Sequence, residues 1–188
     1  MMKIGITGSL ASGKTTASRI LSFKKGPLFS ADVVVKKFYT KTNFKKTLIK
    51  KFQINKNLNI KKEITKKILS KKININKLEK IIHPLVRKEM NKFTQKYKKK
   101  KFIFYEIPLL IESRLMKRFD VIFFIKAKRK IRLKRFRLKG GENKVFNLLD
   151  KRQLSDEKKN KYCDYVIVNE TNLKILKTKL LAIFKKYE

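Results

Sequence analysis

Gly8-Ser9-Leu10-Ala11-Ser12-Gly13-Lys14-Thr15 is the stretch on which the reading of this chain turns. Lys3-Ile4-Gly5-Ile6-Thr7 precedes it as a short buried strand, and Thr16 to Leu21 follows as the start of an amphipathic helix. The eight residues spell G-x-x-x-x-G-K-[ST], and strand before with helix after is the context in which that pattern has a mechanism. Glycines let the backbone wrap around a phosphate, and the N–H groups of the loop and the helix N-terminus point at the anion. Lys14 is placed to reach β- and γ-phosphates, and the Thr15 hydroxyl to hold Mg²⁺. The stretch therefore predicts a nucleoside triphosphate site, and the rest of the chain must say what is done with it.

The 188 residues allow one α/β domain with a sizeable core and a small helical insertion. No segment approaches the roughly 20 apolar residues of a membrane span. Met1-Met2-Lys3 leads into Gly5, Gly8, Gly13 and Lys14, which read as strand and loop rather than a secretion signal. The lone Cys163 excludes an internal disulfide and fits a reducing cytoplasm, with the role of a small half-buried residue rather than a catalyst.

Lys and Arg number 52 against 14 Asp and Glu, a net charge of +38 that at face value suggests nucleic acid. The lysines, however, run through the whole chain rather than along one face or tail. They accompany many Ile, Asn and Phe, residues that AT-rich codons encode, while Trp is absent and Gly numbers only six. Composition accounts for most of the charge, and no specific nucleic-acid partner is expected. A positive field around a nucleotide cleft is the functional share.

Strands alternate with helical patterns, the mark of a parallel sheet. Leu28-Phe29 is a short strand leading into Ser30-Ala31-Asp32 and a helix through Tyr39. From Asn43 to Lys100 apolar residues recur at helical spacing with no strand: Phe44, Leu48 and Phe52, then Ile64, Ile68 and Leu69. Leu78, Ile81 and Ile82 lead to His83-Pro84, after which Leu85 to Tyr97 predicts a helix starting at the proline. Lys101 to Glu106 and Val121 to Lys126 are strands, and a basic helix runs from Lys128 to about Arg137. Gly140-Gly141 marks a flexible loop, Tyr165 to Val168 the last strand, and Leu173 to Tyr187 a closing helix. The expectation is a single domain over 1–188: a parallel five-stranded sheet flanked by helices, a helical insertion at about 43–100 and a lid at about 128–152.

With these blocks in order, the chain resembles the dephospho-coenzyme A kinase family. The resemblance rests on Ala11-Ser12-Gly13-Lys14-Thr15-Thr16, on Ser30-Ala31-Asp32, and on His83-Pro84-Leu85-Val86-Arg87. It continues in Glu106-Ile107-Pro108-Leu109-Leu110-Ile111-Glu112, in Gln153, and in Cys163-Asp164-Tyr165-Val166-Ile167-Val168-Asn169. It implies the fold of P-loop kinases and transfer of phosphate from ATP, with Mg²⁺, to the ribose 3′-hydroxyl of dephospho-coenzyme A. Another small-molecule or nucleotide kinase of the same fold is the alternative.

The resemblance implies donor contacts from Leu10, Ala11, Ser12, Gly13, Lys14, Thr15 and Thr16. Asp32 is the expected general base for the attacking hydroxyl, although its place before a helix suits an N-cap as well. Glu106, ending a buried strand beside the loop, is expected to order Mg²⁺ water or the acceptor; a buried carboxylate paired with a lysine is the alternative. His83 and Arg87 are implied acceptor contacts, against a structural helix start for His83. Leu109 and Leu110 read as pocket wall or core. Arg135 is the implied lid arginine, able to stabilise charge on the transferred group, against a solvated helix face.

Three positions depart from the family. Ser30 replaces an Asp, leaving Asp32 to carry that site alone. Arg132 stands where a Gln is usual and is given no role. Lys139 falls where a second lid arginine is expected, and the lid is one residue short; lysine keeps the charge but loses the bidentate fork, so weaker clamping of ATP is expected.

Overall fold

A computed structural model describes residues 1–188. The strands are β1 (Met2–Gly8), β2 (Leu28–Ser30), β3 (Phe102–Glu106), β4 (Val121–Lys126) and β5 (Tyr165–Val168). The helices are α1 (Lys14–Ser22), α2 (Ala31–Phe38), α3 (Thr42–Phe52), α4 (Ile60–Leu69), α5 (Ile75–Lys96), α6 (Arg129–Arg137), α7 (Asn143–Lys151), α8 (Asp156–Asn160) and α9 (Leu173–Phe184). Contacts divide the chain into two compact units: Met1–Ser30 with Thr94–Glu188, and Ala31–Phe93.

The first unit holds the sheet, five parallel strands in the order β2-β3-β1-β4-β5. Parallel strands joined through helices are covered on both faces, which explains why β3 and β4 read as continuous apolar runs. β3 is buried at every position, and β4 at all but Lys126. On one face Ile4, Ile6, Phe104, Phe123, Ile125 and Ile167 pack against Ala17 and Leu21 of α1 and Leu176, Leu180 and Phe184 of α9. β1 connects onward to β2 on one side of the sheet, while its neighbour β4 connects onward to β5 on the other. The loop after β1 therefore sits at the topological switch point, beyond the carboxyl ends of the strands, where such sheets bind ligands.

Register then places the chemistry. Ile6 pairs with Glu106, and Ser30 pairs with the same Glu106 from the other side. The edge strand β5 is held at its start by Asp164, whose carboxylate accepts the Ile122 N–H at 2.7 Å. Asp120 does the same before β4, accepting the Lys3 N–H at 2.6 Å.

The second unit is helical, as the 3.6-residue spacing requires. Phe44, Leu48 and Phe52 are the buried residues of α3, and Ile64 and Ile68 those of α4. The expected helix start at His83-Pro84 is corrected: α5 runs unbroken from Ile75 to Lys96 with Pro84 inside it. Proline lacks the N–H that would bond the Lys80 carbonyl. Pro84 and Lys80 are both exposed, so the turn that lacks this bond lies on the solvent side of the helix. The apolar rhythm through Leu78, Ile82 and Met90 outweighs the local cost. Asp32 is corrected likewise: α2 begins at Ala31, so Asp32 lies inside its first turn rather than ahead of it.

Phe184 is fully buried, with ring centroids of Phe102 and Phe104 at 5.1 and 5.7 Å. Phe184→Ala is expected to cost about 3–5 kcal/mol. For a domain of this size that lowers Tm by about 6–20 °C, measurable by calorimetry. An unchanged Tm would refute the place given to α9 in the core.

Candidate active site

Between β1 and α1 the backbone must turn sharply, and the residues there permit it. Gly13 holds φ at 102°, and a side chain on it would meet Asn169 Nδ2 at 2.2 Å. A Cβ on Gly8 would lie 2.4 Å from the Ile125 carbonyl. Ala11 takes φ of 58°, an unfavourable value for a residue with a Cβ, and the loop must hold it there. α1 then starts at Lys14 with no side-chain cap, leaving its N-terminal amides for an anion. The Ser12 hydroxyl is buried without a hydrogen-bond partner, a second polar group inside the loop that a phosphate oxygen would satisfy.

Three of the loop's carbonyls, those of Ser9, Leu10 and Ser12, accept from side chains. The Ser9 carbonyl accepts from Lys14 Nζ at 3.0 Å, which lays the lysine over the loop. The Leu10 carbonyl accepts from Arg132 Nη1 at 3.3 Å. The Ser12 carbonyl accepts from Asn169 Nδ2 at 2.8 Å and Arg135 Nη1 at 3.4 Å. The Leu10 N–H donates to Gln153 Oε1 at 2.7 Å, and the Ser9 hydroxyl to Asp156 Oδ1 at 2.6 Å.

Glu106 is 2 % exposed at the carboxyl end of β3, and its Oε1 accepts from the Thr15 hydroxyl at 2.5 Å. Its pairing with Thr15, rather than with a lysine, puts a carboxylate and a hydroxyl side by side after Lys14. These are hard oxygen donors of the kind Mg²⁺ prefers. Thr16, next along α1, is exposed. No three His, Cys, Asp or Glu side chains cluster into a cage, so a divalent ion here would draw ligands from the nucleotide as well.

On α6, Arg135 is half-buried and its Nη1 also donates to the Asn169 carbonyl at 2.9 Å, so it is not a solvated helix face. Arg132, given no role from sequence, is 7 % exposed and pairs with Asp150 at 2.6 Å. Its burial next to Asp150, eighteen positions away, is a tertiary fact with no local signal. Lys139 is exposed beyond α6, where Gly140 at φ 77° turns the chain toward α7. Glu112, the last residue of the Pro-Leu-Leu block, accepts from the Leu154 N–H and pairs with the fully buried Lys159, each at 3.0 Å. Leu110 of the same block is core, with no exposure.

Within the helical unit, Asp32 is exposed in the first turn of α2, where a carboxylate also complements the helix dipole. His83, half-buried, and Arg87, exposed, are four residues apart on one face of α5. Lys45, Lys46, Lys50, Lys56 and Lys61 are among the residues lining an open pocket of about 760 Å³, with Tyr39, Ile49 and Ile60.

A sheet of this order with this loop at its switch point defines a P-loop kinase. Solved structures agree on the fold: the structure of TT1252 from Thermus thermophilus superposes with TM-score 0.80 at 23 % identity, covering 98 % of this chain and 97 % of that one. Dephospho-CoA kinase from Campylobacter jejuni gives 0.62 at 22 % identity, covering 99 % and 97 %. Deoxyadenosine kinase from M. mycoides, solved with bound dATP, gives 0.59 at 16 %, covering 98 % and 100 %. The family model described as dephospho-CoA kinase matches residues 2–174. Dephospho-CoA kinase of Rickettsia typhi is 31 % identical over all of this chain and 98 % of its own length, and that of Fusobacterium nucleatum 33 % over all of this chain and 96 % of its own. The chain belongs to the dephospho-CoA kinase family.

Cys163 is a free, half-buried cysteine two residues before β5. Burial first, then the neighbouring Asp164, pushes its thiol up to about 12, with Lys159 opposing. The thiolate is therefore scarce at any working pH. Alkylation by iodoacetamide at pH 8 is expected to be at least about 100-fold slower than for free cysteine. A rate near that of free cysteine would contradict this placement.

Proposed function

We propose that this protein is the kinase that transfers the γ-phosphoryl group of ATP to the ribose 3′-hydroxyl of dephospho-coenzyme A, completing coenzyme A. The single observation that carries this reading is the family match spanning residues 2–174. The geometry of the loop supplies what the chemistry needs. Phosphoryl transfer asks a protein mainly for positioning and charge neutralisation.

Leu10, Ala11, Ser12, Gly13, Lys14, Thr15 and Thr16 form the donor site. Loop amides and the α1 N-terminus meet the phosphates, Lys14 neutralises their charge, and the buried Ser12 hydroxyl adds a donor. Thr15 would hold Mg²⁺, with Glu106 ordering its water or the acceptor; the ion supplies neutralisation of the phosphate oxygens when bound. Arg135 is the lid cation for charge on the transferred group. Asp32 accepts the proton as the 3′-oxygen bonds to the γ-phosphorus and the bond to the bridging oxygen of ADP breaks. In support, Asp32 follows by two residues the strand β2 that pairs with Glu106. His83 and Arg87 contact the acceptor. The lysine-lined pocket of the helical unit suits an acceptor carrying a diphosphate.

The insertion at about 43–100 thus binds the acceptor, and the lid at about 128–152 closes on ATP to exclude water. No helix is long and apolar enough to cross a membrane, and the setting proposed is the cytoplasm.

An acceptor panel with ATP tests the function: transfer to dephospho-coenzyme A is expected. Transfer to a nucleoside monophosphate instead would establish another kinase of this fold. Lys14→Ala is expected to abolish turnover with the circular dichroism spectrum retained. Asp32→Asn should lower kcat by roughly 10²–10⁴ if Asp32 is the base. A loss under about threefold would leave it only its helix-dipole role in α2.

A further inference from the structure

Leu10 is gripped at both of its peptide groups by side chains from the α6–α7 region. Its N–H donates to Gln153 Oε1 at 2.7 Å, just beyond α7, and its carbonyl accepts from Arg132 Nη1 of α6 at 3.3 Å. Arg132 is itself fixed on every side. Its Nε donates to the carbonyl of Ala127, at the end of β4, at 3.0 Å. Its Nη1 meets Asp150 of α7 at 2.6 Å, and its guanidinium lies over the Phe146 ring, 5.7 Å from the centroid. Asp150 is shared with Arg129, whose Nε stands 3.3 Å away. Phe146, fully buried, meets Phe136 edge-on at 5.5 Å, so α6 and α7 form one packed hairpin around the arginine.

The peptide plane gives this grip a consequence. The Leu10 carbonyl and the Ala11 N–H belong to one rigid trans peptide and point in opposite directions. Holding the carbonyl on Arg132 therefore aims the Ala11 N–H the other way, and does so where Ala11 already sits at φ of 58°. A buried guanidinium is tolerated only with its partners in place, so the pair with Asp150 keeps the donor aimed.

We propose that Arg132, braced by Asp150, is a positioning residue that sets the phosphate-loop backbone at Leu10 and Ala11, coupling ATP affinity to the α6–α7 hairpin. This rests on ATP as the donor, but not on the identity of the acceptor.

Arg132→Met, Arg132→Lys and Asp150→Asn in the full chain test it, with ATP binding read by fluorescence titration and both KM values by steady-state kinetics. Arg132→Met is expected to weaken ATP binding about tenfold or more, the scale of a buried carbonyl losing a charged donor. KM for dephospho-coenzyme A should stay within about twofold, since the grip acts on the donor loop alone. Arg132→Lys should recover part of the loss, and Asp150→Asn should weaken ATP binding about threefold. ATP binding within about twofold of the parent in Arg132→Met, or both KM values rising together, would overturn the proposal. If Arg132→Met does not fold, Asp150→Asn decides by the same two readouts. Failure to phosphorylate dephospho-coenzyme A leaves the ATP titration, which needs no acceptor, as the deciding measurement.

Discussion

A loop that turns its N–H groups toward an anion must turn its carbonyls the other way, and the protein behind it has to supply donors for them. That constraint organises the sheet-bearing unit. The carbonyls of Ser9, Leu10 and Ser12 are met by Lys14, Arg132, Asn169 and Arg135. Three of those four donors come from more than a hundred residues away, out of α6 and the end of β5. α6 is therefore placed as much by the loop's backbone as by its own packing. A buried carbonyl without a donor costs about 1–3 kcal/mol, so each contact is a firm restraint.

The same logic explains where the few acids went. In a chain of net charge +38 a carboxylate is scarce, and several of the few stand at joints between elements. Asp120 and Asp164 receive backbone N–H groups at strand starts, and Asp156 takes the Ser9 hydroxyl. Asp150 and Glu112 each pair with a buried cation, Arg132 and Lys159. Glu106 holds Thr15. The surplus lysines, by contrast, are mostly exposed and spread over both units, as a compositional bias produces.

Much of the fold was legible because it is periodic. Val121 to Lys126 and Tyr165 to Val168 are strands at the residues their apolar runs mark, and Phe44, Leu48 and Phe52 are the buried stripe of α3. The misreadings fall where a local rule met a longer one. Pro84 signals a helix start, but the apolar stripe on both sides carries α5 through it with Pro84 exposed. Asp32 is the second residue of α2, two positions beyond where a capping residue would stand.

The sequence by itself determined the phosphate loop, the strand and helix around it, and the family, because those depend on residues close together in the chain. Glycine at 8 and 13, lysine at 14 and threonine at 15 specify a local backbone shape and its chemistry. Only the tertiary structure decided which side chains hold that shape. Nothing near Arg132 in the chain announces that it will be buried between Leu10 and Asp150, nor that Asn169 will close over Gly13. Those pairings arise from the parallel sheet, which brings the ends of β1, β4 and β5 to one edge and sets their distant residues around a single turn of backbone.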